Sequence, residues 1–275
     1  MLLPFLTACS FTGSAIFNPA GPVTLASGSL MIRAALIMLI VVLPVFLLTA
    51  VFAVRYRASN RRTDFKEDWS SSLIDAVIWA VPAALIVVLA VQVWVWTHRL
   101  DPYRRLDGTG MPPLEIEVIA QDWKWLFLYP AEDIASVNEL VLPVGRPIRL
   151  RITSDTVMNS FSVPALGGQI YAMAGMQTQL NLLADRPGRF IGRNMQYSGR
   201  GFADQYFSVL TVMAGDFDAW IAKARSAPEA LDARGYALLA APSIRHPAMQ
   251  FRGFDEGLFD AVIARYGAHD HAAMK

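Results

Sequence analysis

The sequence predicts a two-helix membrane anchor followed by an all-β sandwich or barrel with a small helical appendage. Three observations carry this: two long apolar runs without a charge, a change to period-two alternation from Leu114, and a return to helical spacing after Gly215. Of 275 residues, 54% are hydrophobic and 17% charged, with mean hydropathy +0.36, against about 25% charged in an average soluble domain. The apolar residues concentrate in the first third, which separates a membrane part from an outer part. A net charge of +1 lacks the basic footprint of a nucleic-acid binder, so no nucleic-acid partner is expected. The single cysteine, Cys9, excludes an internal disulfide and any metal site needing two thiolates from this chain.

The chain begins MLLPFLTACS, where Leu6-Thr-Ala-Cys9 resembles a bacterial lipobox and makes Cys9 a candidate for lipidation. The segment lacks the basic region of a signal peptide, so the start of the natural chain is expected upstream of Met1. Residues 1–9 read as the signal remnant and 10–29 as an outer N-terminal segment. Residues 34–54 and 76–97 carry no charge, and at about 1.5 Å per residue each crosses roughly 30 Å of bilayer core. The spans are placed at 30–54 and 73–98. Their prolines, Pro44 and Pro82, are tolerated in membrane helices. The link between them, 55–72, holds Arg55, Arg57, Arg61, Arg62 and Lys66, which places it in the cytoplasm and both termini outside. Trp94, Trp96 and Tyr103 suit the outer interface, and His98 marks the same level.

After a linker at 99–113, the outer domain occupies 114–214. Leu114, Ile116 and Val118 alternate with Glu115 and Glu117, and Ile148, Leu150 and Ile152 alternate with Arg149 and Arg151. Further strands are expected at 123–129, 139–142, 178–183, 189–191 and 206–212. Gly and Pro turns between them indicate an antiparallel sandwich or barrel. In the extension, 215–275, Phe217, Trp220, Ile221 and Ala224 share a helical face. Ser226-Ala-Pro-Glu229 has capping-box spacing, and a last helix is expected over 255–266 with Gly267 as its stop.

Taken together, the lipobox, Arg55-Tyr-Arg-Ala-Ser-Asn60, Asp122-Trp-Lys-Trp125, Val157-Met-Asn-Ser-Phe161, Gln169-Ile-Tyr-Ala-Met-Ala-Gly-Met-Gln177, Tyr197-Ser-Gly199 and the run from Trp220 to Ser226 resemble subunit II of the haem-copper terminal oxidases. The resemblance is to the quinol-oxidising branch, the cytochrome o ubiquinol oxidase subunit II family, and covers nearly the whole chain. It implies a cupredoxin-like sandwich, a helical hairpin packed on the catalytic subunit, and ubiquinol-driven reduction of oxygen to water with proton translocation. The implied partners are subunit I, further membrane subunits and membrane lipid. Haems and a single copper are expected in subunit I.

In the cytochrome c-oxidising branch, the corresponding loops bind dinuclear copper through two bridging cysteines, two histidines, a methionine and a carbonyl. Here, the resemblance places Asn159 at the first histidine, Asn194 and Ser198 at the cysteines, Gln196 at the carbonyl, Phe202 at the second histidine and Gln205 at the methionine. Amide, hydroxyl and phenyl groups do not replace soft thiolates, so no metal and no catalytic residue is expected in this chain. Neither charge-free run holds a histidine for haem. His269 and His271 read as a solvated tail. Met173, Met176 and Met195 read as core packing or a subunit interface, and Trp123 and Trp125 as packing residues. Asp75, at the cytoplasmic mouth of the second span, is the candidate for admitting protons. The family carries a glutamate there, and the shorter aspartate departs from that pattern; the competing role is a helix N-terminal charge. An independent membrane-anchored binding or sensing module is the alternative to the subunit reading.

Overall fold

A computed structural model describes residues 15–57, 72–106 and 110–270, with side chains to residue 266. Cys9, most of the basic loop and His271 lie outside the described residues. The chain divides into two units, Ser27–Asp101 and the remainder.

The first unit is built from helices α1 (Pro22–Arg55) and α2 (Ser72–Arg99). Both are long and apolar enough to cross a membrane, with mean hydropathy 3.0 and 2.5 over their most apolar stretches. Helix α1 starts eight residues before the expected 30, because Pro22 occupies the first turn, where its missing N–H costs nothing. Arg33 and Arg99 flank the Trp96 ring, each guanidinium within 6 Å of its centre. That geometry favours cation–π attraction at one end of the hairpin.

The outer unit is a two-sheet sandwich. Its strands are β1 (Leu114–Gln121), β2 (Lys124–Tyr129), β3 (Ile134–Val137), β4 (Glu139–Pro143), β5 (Ile148–Ser154), β6 (Asn159–Ser162), β7 (Gln169–Ala172), β8 (Thr178–Leu182), β9 (Gly188–Asn194), β10 (Tyr206–Val212) and β11 (Met249–Phe251). One sheet runs β11-β3-β2-β1-β5-β8 and the other β4-β10-β9-β6-β7. The sheets are mixed, which corrects the antiparallel expectation: β1 pairs with β5, and β10 with β4, in parallel. The first pairing sets the acid-alternating strand beside the base-alternating one. Glu115 meets Arg149 and Glu117 meets Arg151 in register, each pair at 2.6 Å, so cross-strand charge pairing favours this neighbour.

Between the sheets, Trp125 and Phe127 from β2 meet Phe161 from β6 and Phe207 from β10, with centroid distances from 5.1 to 6.5 Å. Phe161 and Phe207 stack at an interplanar angle of 22°, and the other pairs are tilted or edge-on, arrangements that suit aromatic quadrupoles. Gly192 is required here, since a Cβ would lie 2.1 Å from the Phe207 ring. Tyr129 closes one flank, its hydroxyl donating to Val141 O at 3.1 Å and accepting from Val141 N–H at 3.0 Å.

The tail supplies helices α3 (Ala214–Arg225), α4 (Ala233–Ala240) and α5 (Leu258–Asp270). Phe217, Ile221 and Ala224 of α3 join the inter-sheet core as expected. The other two helices cover the outer face of the six-stranded sheet: Ile119, Leu126, Leu128, Ala135 and Val137 pack with Tyr236, Leu239, Phe259 and Val262. Strands β2 and β3 are therefore buried on both faces, and period-two exposure fails there. The Ser226 capping box does not form. Ser226 instead ends α3, its hydroxyl donating to Lys223 O at 2.7 Å, and Asp232 caps α4 by accepting from Gly235 N–H at 2.7 Å. Helix α5 starts at Leu258 and passes through Gly267, because Gly257, at φ +77, completes the turn preceding it. Met176 and Met195 are exposed rather than core residues.

Asp155, following β5, fixes the tail electrostatically. Its almost fully buried carboxylate accepts from Tyr236 Oη at 2.6 Å, Arg265 Nη1 at 2.8 Å and Tyr266 Oη at 3.2 Å. Burial first, then this carboxylate, pushes the Tyr236 phenol well above its ordinary 10.0.

Two outcomes follow for the full chain in detergent. Phe207→Ala will lower unfolding stability by about 3–5 kcal/mol, read by denaturant titration. A raised folded-state phenol pKa gives stability that is intact below the unfolded value near 10 and lost as pH rises from there through the folded value. Tyr236→Phe will therefore flatten the alkaline loss of melting temperature.

Candidate functional site

Along β6, Asn159 and Phe161 share the inward face, and the inward register of β10 extends from Phe207 back to Gln205. Asn194, at the end of β9, faces the same space. The apolar core thus continues, at one end of the sandwich, into a buried polar cluster. Asn159, Asn194, Ser198 and Gln205 are all at most 9% exposed.

These four side chains satisfy one another. Asn194 Nδ2 lies 2.7 Å from Asn159 Oδ1, 2.8 Å from Gln205 Oε1 and 3.1 Å from Ser198 Oγ. Ser198 Oγ donates to Gln205 Oε1 at 2.7 Å, and Gln205 Nε2 donates to Asn159 Oδ1 at 3.0 Å and Gln121 O at 3.3 Å. Asn159 Nδ2 donates to Val157 O at 2.8 Å and Ser154 Oγ at 3.3 Å. Asn194 Oδ1 accepts from Ser160 N–H at 2.8 Å and Gln196 N–H at 3.0 Å. A closed network of this kind meets the requirement that buried polar groups be hydrogen-bonded.

Of the six positions singled out from the sequence, four side chains therefore converge. Gln196 joins through its backbone N–H only. Phe202 leaves the network and sets its ring 5.7 Å from that of Tyr197; beside Asn194 and Gln205 it lines an open cleft with Ile191, Arg193, Met195 and Tyr206.

The donor set does not fit a dinuclear copper centre. It offers amides and a hydroxyl, with no thiolate to bridge two ions and no carboxylate to balance their charge. Its lone pairs are committed to amide hydrogens within the network. A buried cationic cluster would meet neutral dipoles alone, and burying charge without a partner is costly.

Trp123 and Trp125 behave as packing residues. Trp125 is fully buried. Trp123 ends the β1–β2 turn at φ +69, donates its indole N–H to Ser198 O at 2.9 Å and packs so closely that Gly201 has no room for a Cβ. Asp75 lies in the first turn of α2 and is exposed. Sequence reading missed Lys124 and Asp155, two charged residues buried beneath the tail. Asp122-Trp-Lys-Trp125 held one signal for the first, a lysine inside an aromatic strand.

Comparison with known proteins adds the following. The family described as cytochrome c oxidase subunit II, periplasmic domain, matches residues 85–209, and the COX aromatic rich motif matches residues 225–270. Ubiquinol oxidase subunit 2 of Acetobacter aceti is 46% identical over 253 residues, covering 91% of this chain and 82% of that protein. Cytochrome bo(3) ubiquinol oxidase subunit 2 of Pseudomonas putida is 42% identical over 271 residues, covering 96% and 85%. Among solved structures, the periplasmic domain of cytochrome oxidase subunit II of Bradyrhizobium japonicum shares 25% identity, with a TM-score of 0.39, over 43% of this chain and 94% of that domain.

Asn194→Ala strips partners from Asn159, Gln205 and the Ser160 N–H at once. At about 1–3 kcal/mol for each buried group left unpaired, it will destabilise the chain by more than Ser198→Ala. The double variant of Asn194 and Gln205 will cost less than the sum of the singles, because they share one network; denaturant unfolding of all three measures this.

Proposed function

The chain belongs to the ubiquinol oxidase subunit II family, and we propose from that premise that it is a non-redox, membrane-anchored subunit of a terminal oxidase that takes electrons from ubiquinol. The observation that carries this is the neutral amide network at the loop end of the sandwich. In a cytochrome c-oxidising enzyme, electrons arrive from a soluble protein and need an acceptor in the outer domain. Two ubiquinols already in the membrane deliver the four electrons that reduce one oxygen molecule to two waters, releasing four protons while four are taken up to form the waters, and such electrons need no outer stop. Asn159, Asn194, Gln196, Ser198, Phe202 and Gln205 then mark a copper site abandoned by its ligands, its cavity held in shape by hydrogen bonds.

Haems and one copper in subunit I supply the oxygen chemistry. This chain anchors and positions. Its spans suit packing against subunit I and further membrane subunits, with lipid on the remaining faces. Exposed Met195, Tyr197 and Tyr206 neighbour the network residues Asn194, Ser198 and Gln205 along the chain and suit burial against subunit I, since large apolar side chains left exposed beside a site suit an interaction surface. The basic loop belongs on the cytoplasmic side and both termini on the outer side of a bacterial cell membrane, with Cys9 as a lipid anchor. Asp75 then stands at the cytoplasmic mouth of α2, where its carboxylate is suited to pass protons toward subunit I.

Purification in mild detergent through a tag on this chain will bring a haem protein that consumes oxygen with ubiquinol and not with reduced cytochrome c, with one copper per complex. A haem-free monomer would overturn the subunit reading in favour of an independent binding module. In the complex, Asp75→Asn will slow quinol oxidation and proton uptake several-fold; unchanged rates would remove Asp75 from the proton route. Recovery of an unmodified peptide containing Cys9 from membranes would remove the lipid anchor.

A further inference from the structure

Lys124 is a charged side chain with no exposure to solvent. Its ammonium donates to Ser243 Oγ at 2.6 Å, Ala241 O at 2.8 Å and Asp122 O at 3.2 Å, so its three protons find three acceptors and none is a carboxylate. Burial pulls its pKa below the ordinary 10.5, as expected for an ammonium withdrawn from water.

Its acceptors belong to two regions. Asp122 lies in the turn between β1 and β2; Ala241 and Ser243 lie in the segment after α4. The same segment makes three more attachments: Ser243 N–H to Asp122 O at 3.1 Å, Arg245 Nε to Asp204 Oδ1 at 2.9 Å, and Asn138 Nδ2 to His246 O at 2.8 Å. Arg245 is held at φ +57, a left-handed conformation that its contacts must maintain. On its other side, the β1–β2 turn is bonded to the amide network, through Gln205 Nε2 to Gln121 O and Trp123 Nε1 to Ser198 O. One turn therefore joins the tail to the network.

We propose that residues 241–246 form an internal strap, fastened by the buried Lys124 ammonium, that sets the position of the β1–β2 turn and thereby of the network rim that meets subunit I. The part concerning subunit I rests on the function proposed above; the fastening does not. Lys124 is a positioning residue in this arrangement. A lysine used only to fill space would be replaceable by methionine, which has similar reach and no cation.

The strap carries its own reporter, because trypsin cleaves after Arg245 and that side chain is 74% exposed, while cleavage needs the local backbone to open. In the oxidase purified through this chain, Lys124→Met will raise the rate of the Arg245 cut tenfold or more and lower co-purifying haem by at least half. Ser243→Ala, which removes one acceptor and perturbs folding less, will raise the cut rate by a smaller factor in the same direction. An unchanged cut rate in both variants would overturn the strap. A faster cut with haem unchanged would overturn its control of the rim. A wild-type chain that brings no haem would defeat the subunit reading, while the cut rates still decide whether Lys124 fastens the strap.

Discussion

Trp125, Phe127, Phe161 and Phe207 interlock between the two sheets, and the positions of the polar loops follow from that contact. Strand residues alternate faces, so fixing Phe161 inward also fixes Asn159 inward, and fixing Phe207 inward directs Gln205 into the same space. The core thereby delivers amides to a place with no water. Mutual hydrogen bonding lets them stay there, because an unpaired buried amide would cost more than the paired network returns.

The same alternation, taken one residue out of phase, builds the other side of the molecule. Gln121, Lys124, Leu126 and Leu128 turn away from the sandwich core and would face water in a two-layer fold. Here, α4, α5 and the segment between α4 and β11 lie over them. Covering a sheet face with helices buries apolar area at about 25 cal/mol per Å², and it also buries Lys124 and Asp155. Both charges are retained with full sets of donors or acceptors, which makes the tail's register specific where apolar contact alone would let it slide. The third layer is thus part of the outer domain's architecture, with the β1–β2 turn held between tail and amide network.

The neutral amide network suits the function proposed above, in which electrons come from the membrane. The sandwich then serves shape: it presents a rim of Met195, Tyr197 and Tyr206 around a neutral, rigid floor. A charged or flexible floor would favour water over a partner surface, whereas a network whose donors are already spent leaves the rim to decide what binds.

Much of this was legible in the residues themselves. The charge-free runs fixed two spans, since a bilayer core accepts little else of that length, and the alternating acids and bases at 115–117 and 149–151 marked two strands. A single cysteine, Cys9, left no pair of thiolates to bridge two metal ions, on chemistry alone. The sequence could not show that those two alternating strands lie side by side and parallel, because pairing depends on contacts between residues more than thirty apart. Nor could it show that Ser226 ends a helix rather than starting one, since a capping pattern yields to whichever helix packs better. The burial of Lys124 and Asp155 was decided by tertiary structure alone. Whether a lysine faces water or protein depends on what lies over its strand, and here that cover comes from a segment more than a hundred residues later in the chain.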